Sequence, residues 1–371
     1  MTTAPAPSPP LRRLRRPLVA VLVAVLAILA GAASYAVLIH TPSSSPGGSS
    51  PGPGPNGLIE VLPSPGTGST CIVGTPGVPR PVLPLHEGVL QGNTYSVPSG
   101  TVGHVGLCYN AGQGSLFSYA NWTHVGGAGG WFSYPSVVYG GNEWAGAGST
   151  YTNQSPAWVL PQQVSQVTNG SIWTTVVYSF HAPGSSDTDG YDFSLDDFFT
   201  ESFPPVFEQG PFVEVMVWFA HHITYPATFT PWTAPTLVNS TVSLQRWDVG
   251  YYCHGADNGT NANVSFDYSY AGQTSPGLAA GTIGVNLSLI LSDVEQRMPS
   301  VSCWTGPTSG FSHFHLDEAN LGSEDGALGG TSYNYNWTVS DYCFRTAVTN
   351  PTPTDVGCNS APETLARAPA P

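Results

Sequence analysis

The stretch Phe212-Val213-Glu214-Val215-Met216-Val217-Trp218-Phe219 decides the fold class. Side chains alternate across a strand, so Val213, Val215, Val217 and Phe219 point one way and Phe212, Glu214, Met216 and Trp218 the other. The first set is wholly apolar and belongs in a core. The second places one carboxylate among large flat or soft groups, where limited hydration makes its ionisation sensitive to its neighbours. A lone Glu on a strand is most simply a solvated surface residue. The aromatic groups beside this one point instead to a lined cleft.

Two further segments repeat the arrangement. In Tyr191 to Phe198, Tyr191, Phe193 and Leu195 are expected to face the core, and Asp192, Ser194 and Asp196 the other side. In Phe314 to Asp325, Leu316, Glu318, Asn320, Gly322 and Glu324 share one side. Ser171 to Phe180, dense in β-branched and aromatic residues, reads as another strand. Only Val285 to Met298 has a helical period, through Leu287, Leu291, Val294 and Met298. Short apolar runs punctuated by Gly, Pro, Asn and Ser continue from Leu58 to Asn350, which predicts an all-β sandwich or barrel with one short helix over residues 58–350. Composition agrees, since 43 Gly and 35 Pro in 371 residues disfavour long helices while 41% apolar and 11% aromatic content suffices for a core.

The ends read differently. Residues 1–16 hold four of the nine basic residues, all nine of which are Arg, and 17–39 form a charge-free apolar run. Its length suits a transmembrane helix, with the Arg cluster inside the cell, and its small residues also suit a cleaved signal peptide. Either reading exports the rest. Residues 40–57 are a Pro/Gly/Ser linker, and 351–371 a Pro/Ala-rich tail that Cys358 could staple. The even count of six Cys, with no CxxC pair, favours disulfides, and eight Asn-X-Ser/Thr sequons follow the apolar run.

Beyond residue 40 the charge balance is −18, a surface that repels phosphate backbones, so nucleic acid is excluded as a partner. The chain has no Lys, which would limit positive self-repulsion in acid, and an acidic working environment is expected. His221-His222, His313 and His315 do not build a closed metal site at these spacings, and no metal is expected. Asp196, Asp197 and Glu201 read as a solvated acidic loop, and no Gly-X-Ser-X-Gly elbow supports a serine hydrolase. Carboxylates on opposing walls of a cleft suit glycosidic-bond hydrolysis.

Taken in order, Ser133-Tyr134-Pro135-Ser136-Val137, Gly190-Tyr191-Asp192, Glu214-Val215-Met216-Val217-Trp218-Phe219 and Gly322-Ser323-Glu324 resemble the landmarks of glycoside hydrolase family 12. That resemblance implies a concanavalin A-like two-sheet β-jelly roll and a retaining endo-β-1,4-glucanase or xyloglucanase. It implies Glu214 as nucleophile, Glu324 as general acid/base with Glu318 in reserve, and Asp192 as the acid that hydrogen-bonds the nucleophile. Met216 would lie beneath the reacting sugar and Trp218 would belong to the binding surface. Cys71 and Cys108 match a disulfide of some members. The chain departs from the family pattern in carrying Glu324-Asp325 where Glu-Pro is usual, and in lacking the N-terminal Asn-X-Trp landmark, for which Trp122 and Trp131 are the candidate substitutes. The resemblance implies no cofactor and a β-glucan substrate, which leaves cellulose, mixed-linkage glucan and xyloglucan open. The enzyme is expected to act as a monomer. The alternative is a non-catalytic carbohydrate-binding or adhesion domain on the same scaffold. An acid peptidase of β-sandwich fold suits the composition but not the ordered motifs.

Overall fold

The computed structural model describes residues 57–62, 68–77, 81–85, 88–95, 97–126, 130–141, 154, 158–182, 189–201, 212–222, 229–254, 263–272, 278–304, 310–327, 332–348 and 351–358. The apolar run at 17–39 lies outside them, and among the described residues no helix is long and apolar enough to cross a membrane.

In chain order the strands are β1 (Leu58–Glu60), β2 (Ser69–Gly74), β3 (Val82–Pro84), β4 (Val89–Asn93), β5 (Val102–Asn110), β6 (Ser115–His124), β7 (Gly130–Gly140) and β8 (Gln162–Gln163). A one-turn helix α1 (Val164–Asn169) leads to β9 (Ile172–His181), β10 (Asp189–Thr200), β11 (Phe212–His222), β12 (Thr230–Val238), β13 (Thr241–His254), β14 (Asn263–Tyr270) and β15 (Leu278–Asn286). Then come α2 (Leu287–Arg297), β16 (His315–Ala327), β17 (Tyr333–Thr346) and α3 (Pro353–Val356).

Pairing gives two sheets. One runs β2-β5-β6-β17-β9-β15, and the other β12-β13-β14-β11-β10-β16-β7-β4-β3. They are joined at a corner by three residue pairs between β12 and β15, from Thr236↔Val285 to Val238↔Ile283. Short β1 adds to β17 and β8 to β16. The pairs are antiparallel except β11 with β14.

The sheets face each other through their aromatic residues. Tyr178 and Phe180 of β9 meet Phe193 and Tyr191 of β10 at ring distances of 5.0 and 4.9 Å, and Trp337 of β17 meets Phe193 at 5.3 Å. Each such pair adds about 0.5–1.5 kcal/mol beyond the area it buries. Val213, Val215, Val217 and Phe219 all lie in this core, as the alternation predicts.

The helix α2 begins where Asn286 ends β15, because the Asn286 Oδ1 accepts from the Leu289 N–H at 3.1 Å and caps the first turn. Its Leu287, Leu291 and Val294, with Met298 beyond its end, are buried, the spacing read from the sequence. Beyond Arg297 the helix tightens into a 3-10 turn, Met298–Ser300, with Pro299 near its start.

Three disulfides, Cys71–Cys108, Cys253–Cys303 and Cys343–Cys358, use all six Cys. The first joins directly opposed residues of β2 and β5, and the last ties the segment after β17 back to that strand.

One bulge changes the faces. A register shift between β10 and β16 at Phe198/Phe199 pairs Phe199 with Leu316 and sends Leu316 into the core, so it does not share a side with Glu318, Asn320, Gly322 and Glu324. The acidic run is no loop either. Asp196 and Asp197 are buried strand residues of β10, and of the three only Glu201 is exposed.

Candidate active site

Four adjacent strands, β14, β11, β10 and β16, place acids on the face turned away from the core. From β10 come Asp192 and Asp196, from β11 Glu214, from β14 Asp267, and from β16 Glu318 and Glu324. Asp192, Asp196 and Asp267 are buried although they point away from the core, so this face is recessed rather than flat.

Register sets the neighbours. Asp192 is opposite Glu324, Asp196 is opposite both Met216 and Asn320, and Phe198 is opposite both Glu214 and Glu318. On the far side of β11, Glu214 pairs with Ser265 and Met216 with Asp267. Close approach of β7 to β16 needs a glycine, since a Cβ on Gly322 would come within 2.5 Å of the Pro135 carbonyl oxygen.

Glu324 is part-exposed, and burial pushes its pKa well above the usual carboxylate range, with the charge of Asp192 next and those of Glu214 and Asp325 adding. The Tyr95 hydroxyl donates to Glu324 Oε1 and works against that rise. Glu324 is thereby suited to hold a proton and give it to a leaving group. Glu214 is also part-exposed. Its charge is among the causes that raise Asp192, Asp196, Asp267 and Glu324, which places it within reach of all four. Glu318 lies in the same row as Glu214 but is enclosed and accepts a hydrogen bond from Asn320 Nδ2 at 2.9 Å. Of the two candidate acids, Glu324 is the one open to the recess.

Asp192 is held both within its own strand and by β16. Its Oδ1 accepts from Ser194 Oγ at 2.7 Å and from the Glu324 N–H at 3.4 Å, and its Oδ2 has no hydrogen-bond partner. It therefore braces the strand of Glu324. Burial drives its pKa up to about 8.

The aromatic assignments need correction. Trp122 is 0% exposed and its Nε1–H donates to Asp325 Oδ2 at 2.9 Å, so it is a core residue with no face for a sugar. Trp218 is 1% exposed and Met216 4%, and both form the floor of the recess rather than an open stacking surface. Trp131 pairs with Gly326 through its backbone, and its side chain lies outside the described residues.

Asp325, the departure beside Glu324, points into the core. Ser133 Oγ and Trp122 Nε1 donate to its Oδ2, and Tyr335 Oη donates to its Oδ1 at 2.7 Å. Its charge adds the last and smallest contribution to the rise at Glu324.

Sequence reasoning missed Tyr95 and Asp267. Only the alternation of Asn263 to Tyr270, which sets Ser265, Asp267 and Ser269 on one face, could have pointed to Asp267. His221 and His222 do face opposite ways, His221 bonding Ser269 and His222 meeting Tyr191, and among the described residues no cluster could hold a metal ion. A cavity of about 410 Å³ opens on the core side of β11, between Tyr178, Phe219, Asn239 and Tyr270, but no acid lines it.

No protein-family model and no curated protein matches the chain. Solved structures do. A family 12 xyloglucanase from Bacillus licheniformis in complex with ligand superposes with a TM-score of 0.51 at 16% identity, covering 76% of this chain and all of that one. The native form of that enzyme gives 0.49 at 16% identity over 75% of this chain and all of its own. The endoglucanase 3 of Trichoderma harzianum gives 0.43 at 16% over 74% of this chain and 97% of its own. With two sheets joined at one corner and carboxyl groups gathered on the recessed face of the larger one, the chain carries the fold of the family 12 glycoside hydrolases.

Proposed function

We propose that the protein is an exported, monomeric, retaining endo-β-1,4-glucanase acting on a cellulose-like, mixed-linkage or xyloglucan polysaccharide. Glu214 attacks C1 of a glucose unit while Glu324 protonates the departing glycosidic oxygen. Glu324 then takes a proton from the water that releases the sugar from Glu214. The observation that carries this reading is the presence of two part-exposed Glu on one recessed face, one of them with its pKa raised by burial and by the acids around it. Export is supported by the three disulfides, which persist in oxidising compartments. Residues 17–39 would serve as a membrane anchor or a cleaved signal. A purely binding module on this scaffold would need open aromatic faces, and Trp122 and Trp218 offer none.

The test is reducing-sugar release from soluble β-glucan, xyloglucan and carboxymethylcellulose across pH 2 to 7, beside Glu214→Gln and Glu324→Gln. Turnover lost in both variants, with retained anomeric configuration in the parent's first product, is the expected result. A folded parent that cleaves none of the three overturns the proposal.

A further inference from the structure

The acid that the family resemblance assigns to the nucleophile, Asp192, also accepts from the Glu324 N–H. Another group stands beside Glu214 on the opposite strand. Asp267 sits on β14, the one strand that pairs with β11 in parallel, directly across from Met216 and therefore diagonal to Glu214 on the same face. Glu214's own partner, Ser265, donates from Oγ to Asp267 Oδ1 at 3.3 Å, which turns that carboxyl and leaves Oδ2 without a hydrogen-bond partner at 1% exposure. A buried carboxyl with an unsatisfied oxygen beside an acceptor is most stable when that oxygen carries a proton it can share.

We propose that Asp267 is a positioning residue for Glu214, holding a proton on its carboxyl and donating it as a hydrogen bond to the Glu214 carboxylate, so that Glu214 stays ionised and aimed in acid. This deepens the proposed function and rests on it only in taking Glu214 as the nucleophile. Burial followed by the charge of Glu214 raises the pKa of Asp267 well above the usual carboxylate range, which agrees with a neutral Asp267. The other groups near Glu214 are Asp192 and Asp196 from β10 and Glu324 from β16, with Glu318 in its row and Tyr95, Tyr134 and His221 at the edges of the recess. Each of these acids offers a charge or a proton, but Asp267 alone is oriented by the residue paired with Glu214.

The experiment compares the parent with Asp267→Leu, which keeps the volume, and Asp267→Asn, which keeps an N–H donor. The titration of Glu214 is read directly by carboxyl carbon NMR from pH 2 to 8, assigned with Glu214→Gln. The acid limb of kcat/KM is followed on soluble β-glucan. Loss of a donor to the charged form should move the Glu214 titration, and the acid limb with it, upward by about one pH unit in Asp267→Leu. Asp267→Asn should restore both. A merely structural role would lower activity without moving the limb. Unchanged titration in Asp267→Leu, or a downward shift, overturns the proposal, the latter because it would mean that Asp267 carries a charge. If Asp267→Leu does not fold, Asp267→Ala takes its place, and a titration in Asp267→Asn more than one pH unit from the parent's overturns the proposal by itself. A parent without turnover whose Glu214 titration still responds as expected separates failure of the glucanase reading from failure of this one.

Discussion

Raising the pH from 4 to 8 should destabilise the fold, because the sheets enclose carboxyl groups that are held neutral. Burial pushes Asp325 from 3.8 up to about 7, against the hydrogen bonds from Ser133, Tyr335 and Trp122. Asp192 and Asp317 are pushed to about 8, again by burial. An acid whose folded pKa lies above its unfolded value binds its proton more tightly when folded. Its contribution is complete below the unfolded value, near 3.8 here, and is lost as the pH rises toward the folded one, between about 7 and 8. For Asp325 the displacement corresponds to about 4 kcal/mol.

His221 works the other way. Burial, then His222, pushes it from 6.5 down to about 4, so folding is disfavoured in acid by up to about 3 kcal/mol. That offsets one carboxyl and leaves at least two, a net loss on the order of 10 kcal/mol between pH 4 and 8 against a total stability of about 5–15. At roughly 2 °C or more per kcal/mol, the calorimetric Tm should fall by about 20 °C or more across this range. A Tm that is flat or rises from pH 4 to 8 would refute the reasoning.

Three other outcomes are expected. Asp197, 1% exposed in the core with neither oxygen hydrogen-bonded, should be better replaced by Leu. Asp197→Leu should gain about 1–3 kcal/mol in urea unfolding at pH 7 and less at pH 3, where the parent side chain is neutral. Tyr95→Phe removes the hydrogen bond that restrains the pKa of Glu324, so the basic limb of kcat/KM should move up by about half a pH unit, with the acid limb fixed. The disulfide Cys253–Cys303 closes a separation of 50 residues and Cys343–Cys358 one of 15. Their Ser pairs should cost about 4 and about 3 kcal/mol in chemical denaturation, and the reverse order would count against a loop-entropy origin.

Much of this was legible because alternation is a local property. Phe212 to Phe219 and Tyr191 to Phe198 sort their side chains between core and recess as their spelling requires, and α2 buries the residues that a 3.6-residue period selects. What was not legible depends on pairing. Leu316 reads as a neighbour of Glu318 until a bulge between β10 and β16 turns it inward, and no local pattern announces a bulge. Asp196 and Asp197 read as solvated because two adjacent acids rarely sit in a strand enclosed on both faces. Trp122 reads as a sugar platform because the chain does not reveal that Asp325, far along the sequence, awaits its N–H. Tyr95 carries no signal, since only the folded chain brings it to Glu324.

Asp325 links the interior to the recess in a way that bears on how variants are interpreted. Three donors from β6, β7 and β17 grip one carboxyl, and the next residue back along the same strand is Glu324, pointing the opposite way. A shift of the β16 backbone at Asp325 would also carry Glu324. Damage to Trp122, Ser133 or Tyr335, none of which needs to touch a sugar, would then register as a loss of turnover with the binding of substrate largely spared. Screens for defective catalysis would return residues from the middle of the sandwich.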